Sequence, residues 1–215
     1  MSEDNDWFED TWRYREKVLY PQEVGGDAGG LITTIPYEAF AQMGFEQIDP
    51  RWLHCGVLTF PPTAKRTNFT FLTSGLSNAW DDDRPELKSV SGLGIELRLE
   101  NASAEHWVKD VMLRLSATQL LIGVGRLSGA RLLGDGDRVK VGAEAFGESS
   151  AMTALLATKV ASLQLPSGTF EMIQLFAITD AEREFAATRG AGPLLGALRE
   201  STTYPINDIR RRSIV

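Results

Sequence analysis

Two short stretches, Phe69 to Ser74 and Ile95 to Glu100, constrain the fold more than any other part of the chain. In the first, Phe69, Phe71 and Thr73 alternate with Thr70, Leu72 and Ser74. Both faces then carry β-favouring side chains, which suits a strand covered on two sides. In the second, Ile95, Leu97 and Leu99 alternate with Glu96, Arg98 and Glu100. Successive strand side chains point to opposite faces, so this period of two predicts a half-buried strand with one apolar and one charged face. Ser74-Gly75 ends the first strand, and an acidic loop punctuated by Gly and Ser leads to the second.

Around this pair the chain alternates helical and strand patterns. Trp7, Phe8, Trp12, Tyr14 and Val18 are spaced to share one face of a helix, with Glu9, Asp10, Arg13, Arg15, Glu16 and Lys17 outward. The helix is expected to end near Tyr20-Pro21, because proline disfavours helix in the residue before it. Leu31 to Ile35 reads as a short strand stopped by Pro36, Tyr37 to Met43 as a turn or short helix, and Leu53 to Phe60 as an inner strand. Ser103 is placed to cap an amphipathic helix from Ala104 to Ile122, in which Trp107, Val111 and Leu115 recur every four residues. Ser149 to Ala157 reads as a short helical or coil segment before the strands Val160 to Leu165 and Phe170 to Ile178. Thr179-Asp180-Ala181-Glu182 fits a capping box that opens a helix to Thr188, and Gly192-Pro193 starts another. No repeat or linker divides the chain. The expectation is one α+β domain over residues 1–215, with a central mixed β-sheet flanked by helices.

Several chemistries lack their residues. With only His54 and His106, and with His54 and Cys55 on opposite faces of a strand, no metal site is expected. No G-x-S-x-G elbow, H-E-x-x-H helix or C-x-x-C pair occurs. Gly123, Gly125 and Gly129 follow a helical pattern where a dinucleotide loop follows a strand, so they read as a helix end. Gly134 to Asp137 lacks the spaced acids of a calcium loop and reads as a tight turn. No cofactor is expected. The formal net charge of −7 disfavours phosphate backbones, excluding nucleic acid as the expected partner, and attracts basic protein surfaces. One cysteine forms no internal disulfide, and the N-terminus is acidic where a secretory signal is basic then apolar, so a cytoplasmic location is expected. No apolar run approaches the roughly 20 residues that cross a bilayer, so no membrane association is expected.

Three blocks then stand in order: SGLSNAW at Ser74 to Trp80, SGLGIELRLE at Ser91 to Glu100, and YPINDIRRRSIV at Tyr204 to Val215. Together they resemble the suppressor-of-fused domain: an aromatic strand, a GLS turn, a variable loop, SGxGxEL opening the next strand, and a terminal acid with a run of arginine. The resemblance implies that Ser74, Gly75, Leu76, Ser77, Gly92, Gly94 and Glu96 are structural motif residues, with Asp208 and Arg210 matching the terminal acid and arginine. An acid and a guanidinium at these places would pair and fix the end of the chain against the sheet, a function in binding being the alternative. Trp80, beside Asp81, Asp82 and Asp83, matches an aromatic position in the family's partner-binding region. An exposed aromatic among like charges anchors a basic partner, whereas a Trp80 tucked inward leaves a solvated acidic loop.

In animals such domains hold a transcription factor in the cytoplasm; in bacteria similar stand-alone domains serve as immunity proteins that neutralise toxins. The chain length leaves no room for the second domain of the animal proteins, which implies the bacterial type. The expected function is therefore non-catalytic binding of a protein partner, a toxin with a basic surface. Two alternatives remain: an enzyme or small-ligand binder with a site assembled from Glu96, His106 and Asp208, and a scaffold or regulatory adaptor.

Overall fold

In the computed structural model, which describes residues 4–80, 89–147, 150–201 and 204–215, with side chains from Phe8 onward, the two strand-forming stretches lie side by side. β3 (Phe69–Ser74) pairs antiparallel with β4 (Val90–Asn101), Phe71 opposite Leu99 and Leu72 opposite Arg98. Beyond β3 come β2 (Gly56–Phe60) and the two-residue β1 (Thr33–Thr34). On its other side β4 runs parallel to β7 (Gly168–Thr179), which is followed by β6 (Met152–Leu165) and β5 (Arg138–Lys140). An eighth strand, β8 (Ile206–Asn207), enters beside β4 just past the last β4–β7 pair, Leu99 and Leu175. Asn207 closes that gap. Its Nδ2 donates to the Glu100 and Leu175 carbonyls at 2.8 and 3.3 Å, and its Oδ1 accepts from the Ala177 N–H at 2.6 Å, so backbone groups freed by the divergence find partners.

Helices cover both faces of this mixed sheet. α4 (His106–Gly123) lies on one, packing Val108, Val111, Met112 and Leu115 with Phe71, Leu97, Leu99, Ile173 and Leu175. The short α3 (Tyr37–Ala41) contributes Phe40 to the same cluster. The opposite face is covered twice. An N-terminal run made of α1 (Asp4–Tyr14), a π-helical turn (Arg15–Leu19) and α2 (Tyr20–Val24) sets Leu19, Tyr20 and Val24 against Leu58, Phe60 and Leu72. α5 (Asp180–Arg189) and α6 (Ala191–Glu200) set Ala186, Leu194 and Leu198 against Leu156, Phe176 and Ile178. The architecture is the α+β arrangement with a central mixed sheet that the sequence implied.

Several local expectations are corrected. β4 is not half-buried: Glu96 and Glu100 are as enclosed as the leucines between them, because a second helical layer roofs the charged face and each carboxylate has partners. Glu100 accepts from Asn68 Nδ2 at 2.7 Å and Arg98 Nη2 at 2.6 Å. The first helix does not stop at Tyr20-Pro21. The Tyr20 N–H reaches back five residues to the Arg15 carbonyl, and helix resumes with Pro21 in its first turn, where no N–H is needed. Arg15, expected outward, is fully buried, while Tyr14 and Val18, expected inward, are 39% and 38% exposed. Leu31, expected in a strand, is 96% exposed in a loop. Leu53 and His54 belong to a 3-10 turn (Pro50–His54) that precedes β2. Ser103 caps nothing: α4 starts at His106 with Glu105 at the N-cap position, and the Ser103 hydroxyl donates to the Glu105 carboxylate at 2.8 Å. Met152 to Ala157 is strand, paired with β5 on one side and β7 on the other. Cross-strand pairing there overrides the helix preference of Met, Ala and Leu.

Candidate functional site

The turn after β3 is held from within by one carboxylate. Glu96 Oε1 accepts the Gly75 N–H at 3.0 Å, the Ser77 N–H at 2.9 Å and the Ser77 hydroxyl at 2.7 Å, while Oε2 accepts the Thr73 hydroxyl at 2.5 Å. Residues 73–77 therefore fold around an anion supplied by the adjacent strand. The compensating charge comes from the N-terminal run. Arg15 Nη1 lies 3.7 Å from Glu96 Oε1 and donates to Ser77 Oγ at 3.0 Å and Asn78 Oδ1 at 2.6 Å, and Nη2 donates to Ser74 Oγ at 2.7 Å. A buried charge without such partners costs several kcal/mol, so the roofing helix and the turn need each other. Glu16, the next residue, accepts from the Ser74 hydroxyl at 2.5 Å and from the Trp12 indole. Tyr20 donates to the Thr73 carbonyl at 2.8 Å. Burial, reinforced by the Glu96 charge, pushes its phenol well above the ordinary 10.0.

The other motif residues seal the hub. Gly92 has φ of 56°, and a Cβ on it would lie 2.5 Å from the Asn78 carbonyl oxygen. Only glycine lets β4 approach the turn so closely. Leu76 is buried, and its carbonyl accepts the Leu93 N–H at 2.8 Å. Gly94 sits where the β4–β7 register shifts, between Val90 and Ile95. Ser91 donates to the Ser77 carbonyl at 2.7 Å and meets the Ser167 hydroxyl at 2.5 Å.

From this hub the chain emerges at a cleft of about 400 Å³ lined by Asn78, Ala79, Trp80, Gly92, Leu93 and residues of α4 and the Pro50–His54 turn. Asn78 belongs to both, touching Arg15 on the inside and the cleft on the outside. Trp80 is half-buried. Its ring packs against Phe8 in a tilted pair with centroids 4.9 Å apart, and the Arg51 guanidinium stands 5.7 Å over it while donating to the Trp80 carbonyl at 2.7 Å. Arg51 also clamps Asp49, holding that carboxyl below its usual range through side-chain hydrogen bonds. Asp81, Asp82 and Asp83 lie outside the described residues.

The remaining candidates lie elsewhere. Asp208 and Arg210 are exposed, line a separate cleft of about 320 Å³, and touch each other only through the Arg210 N–H donating to Asp208 Oδ1 at 2.9 Å. The arginine that ties down the chain end is their neighbour Arg211. Its Nη1 and Nη2 donate to Glu182 Oε1 and Oε2 at 2.5 and 2.6 Å, and Nη2 also reaches the Ala177 carbonyl. Glu182 is the capping-box acid, accepting the Thr179 N–H at 2.9 Å, and it accepts the Ile214 N–H as well. Burial alone would raise its carboxyl, but Arg211 and the Thr179 amide outweigh burial and hold it below the ordinary 4.5. His106 is exposed at the start of α4 and lines none of these clefts; nor does the enclosed Glu96. Glu96, His106 and Asp208 are therefore not assembled into one pocket. Among the described residues no group of three or more His, Cys, Asp or Glu is placed to hold a metal, and no helix is long and apolar enough to cross a membrane.

Sequence reasoning missed Arg15, Arg211 and Glu182 as the partners that fix these carboxylates and guanidinia. The signal for Arg15 was weak: a basic residue one position from an expected apolar stripe, in a segment leading to proline.

Comparison with known proteins bears on the fold and the family. No curated protein matches the chain. Solved structures share its fold, among them the following three. The structure of a Sufu–Fu complex superposes with a TM-score of 0.65 at 18% identity, over 97% of this chain and 92% of that one. A SUFU homologue from Neisseria gonorrhoeae FA 1090 gives 0.58 at 16% identity, over 98% and 97%. Drosophila Suppressor of Fused gives 0.52 at 21% identity, over 74% of this chain and 42% of that longer one. The family model described as Suppressor of fused protein (SUFU) matches residues 51–212, a span containing the turn, Gly92, Glu96 and the terminal arginines. The chain belongs to the Suppressor of fused protein (SUFU) family.

Proposed function

We propose that this chain is a non-catalytic domain that binds another protein through the Trp80 cleft, and that it acts as a bacterial, cytoplasmic immunity-type protein neutralising a toxin with a basic surface. The observation that carries this reading is the placement of Trp80: a large aromatic on the wall of an open cleft, backed by the buried Arg15–Glu96 hub. Aromatic side chains held rigidly in this way lose little entropy on binding and dominate interface energetics. Glu96 and Arg15 are engaged by several partners each, which suits a structural role better than proton transfer. Asp81, Asp82 and Asp83 follow Trp80 directly in the chain, and with the net charge of −7 they favour a basic partner. One relative of the same fold was solved as a Sufu–Fu complex, a protein bound to a protein.

The test is co-expression with a toxin encoded beside this gene. The reading expects rescue of growth and a complex that survives purification. Trp80→Ala combined with Asp81→Lys, Asp82→Lys and Asp83→Lys is expected to abolish both. Absence of any complex, or rescue by the variant equal to that of the parent, overturns the reading.

A further inference from the structure

A second groove, which shares no lining residue with the Trp80 cleft, lies over α4 between α3 and the 3-10 turn Ala143–Phe146 and encloses about 580 Å³. This volume falls within the range of roughly 300–1,000 Å³ common to binding sites. Its floor is apolar: Val111, Phe146 and Trp107, the last two rings 5.2 Å apart between centroids and Trp107 9% exposed. Its rim is acidic. Glu38 comes from α3, Asp110 from α4 and Glu144 from the 3-10 turn, and all three are exposed. None of the three makes an ion pair or a side-chain hydrogen bond with another described residue. Arg114, the cation of the lining, donates instead to the Val141 carbonyl at 3.0 Å.

Three exposed carboxylates from three elements, set against the one lining cation Arg114, leave the rim net negative around an apolar floor, and a cation from outside is attracted to it. We infer that this groove docks a basic amphipathic segment of a protein partner, placing one bulky apolar side chain over Trp107 and Phe146 and Lys or Arg against Glu38, Asp110 and Glu144. A helix laid into a groove presents such a pattern, with an apolar anchor and flanking charges at three- and four-residue spacing. The groove and the proposed Trp80 site share no lining residue, so either reading can fail without the other.

Selection of random peptides of about 12 residues, three helical turns, displayed on phage against the full chain tests it. The expected outcome is enrichment of peptides pairing a bulky apolar residue with Lys or Arg. Their affinity should fall at least about tenfold for Glu38→Lys/Asp110→Lys/Glu144→Lys, fall again with added salt, and be unchanged by Trp80→Ala. The three charge reversals are at exposed positions, and an unaltered unfolding midpoint checks that the variant is folded. A set of selected peptides without basic bias, equal binding by the charge-reversed variant, loss of binding on Trp80→Ala, or no enrichment at all overturns the inference.

Discussion

The Arg15 guanidinium and the Glu96 carboxylate meet at 3.7 Å with no exposed surface on either side chain. They join the N-terminal helical run to the motif turn, and through Asn78 they back the Trp80 cleft. Removing one partner leaves the other charge buried and uncompensated, which costs about 3–5 kcal/mol. Arg15→Ala should lower the unfolding free energy in urea by that amount. Arg15→Ala/Glu96→Ala should lose less than the two single variants summed, by about 0.5–3 kcal/mol. Additive losses would mean that the two residues act separately.

Glu182 links stability to pH. Its carboxyl is held below the ordinary 4.5 in the folded protein, so its contribution is complete above that value and is lost as pH falls through the lower folded value. Thermal unfolding followed from neutrality into acid should show a drop in midpoint below about pH 4.5 that is smaller in Glu182→Gln, which is itself less stable at neutrality. Parallel curves for the two proteins would remove Glu182 from the account.

Cys55 should be inert. Burial, with the nearby Glu96 carboxylate adding to it, pushes its thiol up to about 12, and the thiolate is the reacting form. A disulfide-exchange reagent at neutral pH should modify the native protein only at its unfolding rate, and the urea-unfolded chain at once. Rapid modification of the native protein contradicts this burial.

Gly92 and Gly125 separate backbone strain from close approach. Both have positive φ, 56° and 73°, but a Cβ at 92 meets the Asn78 carbonyl at 2.5 Å, while one at 125 meets nothing within 4 Å. Gly125→Ala should cost about 1 kcal/mol, and Gly92→Ala at least about 1–3 kcal/mol more, because the motif turn must move. Denaturant midpoints compare them directly.

What the sequence made legible was local. The alternation in Phe69 to Ser74, the capping box at Thr179 and Glu182, and the stripe of Trp107, Val111 and Leu115 each depend on residues a few positions apart, and each stands in the structure where the pattern put it. The motif resemblance located the turn and Glu96 but not what Glu96 binds. Arg15 lies 62 residues from Ser77 along the chain, and it shares its buried helix face with Thr11 four residues earlier, a face that the spacing of the large apolar residues does not mark. Arg210, Arg211 and Arg212 are alike in sequence, yet only Arg211 reaches Glu182, because only its position on the chain end faces α5. The charged face of β4 misled for the same reason: the pattern shows which residues share a face, not that another helix covers it.

The proposed function turns on a protein partner docking against Trp80. The most direct measurement follows the indole N–H resonances of the ¹⁵N-labelled protein, with Trp80→Phe identifying the Trp80 signal, during titration with the toxin that co-purifies. The Trp80 resonance is expected to shift with the same saturation point as complex formation, and Trp80→Phe is expected to weaken the complex. A complex that forms with full affinity while the Trp80 resonance stays in place would contradict it.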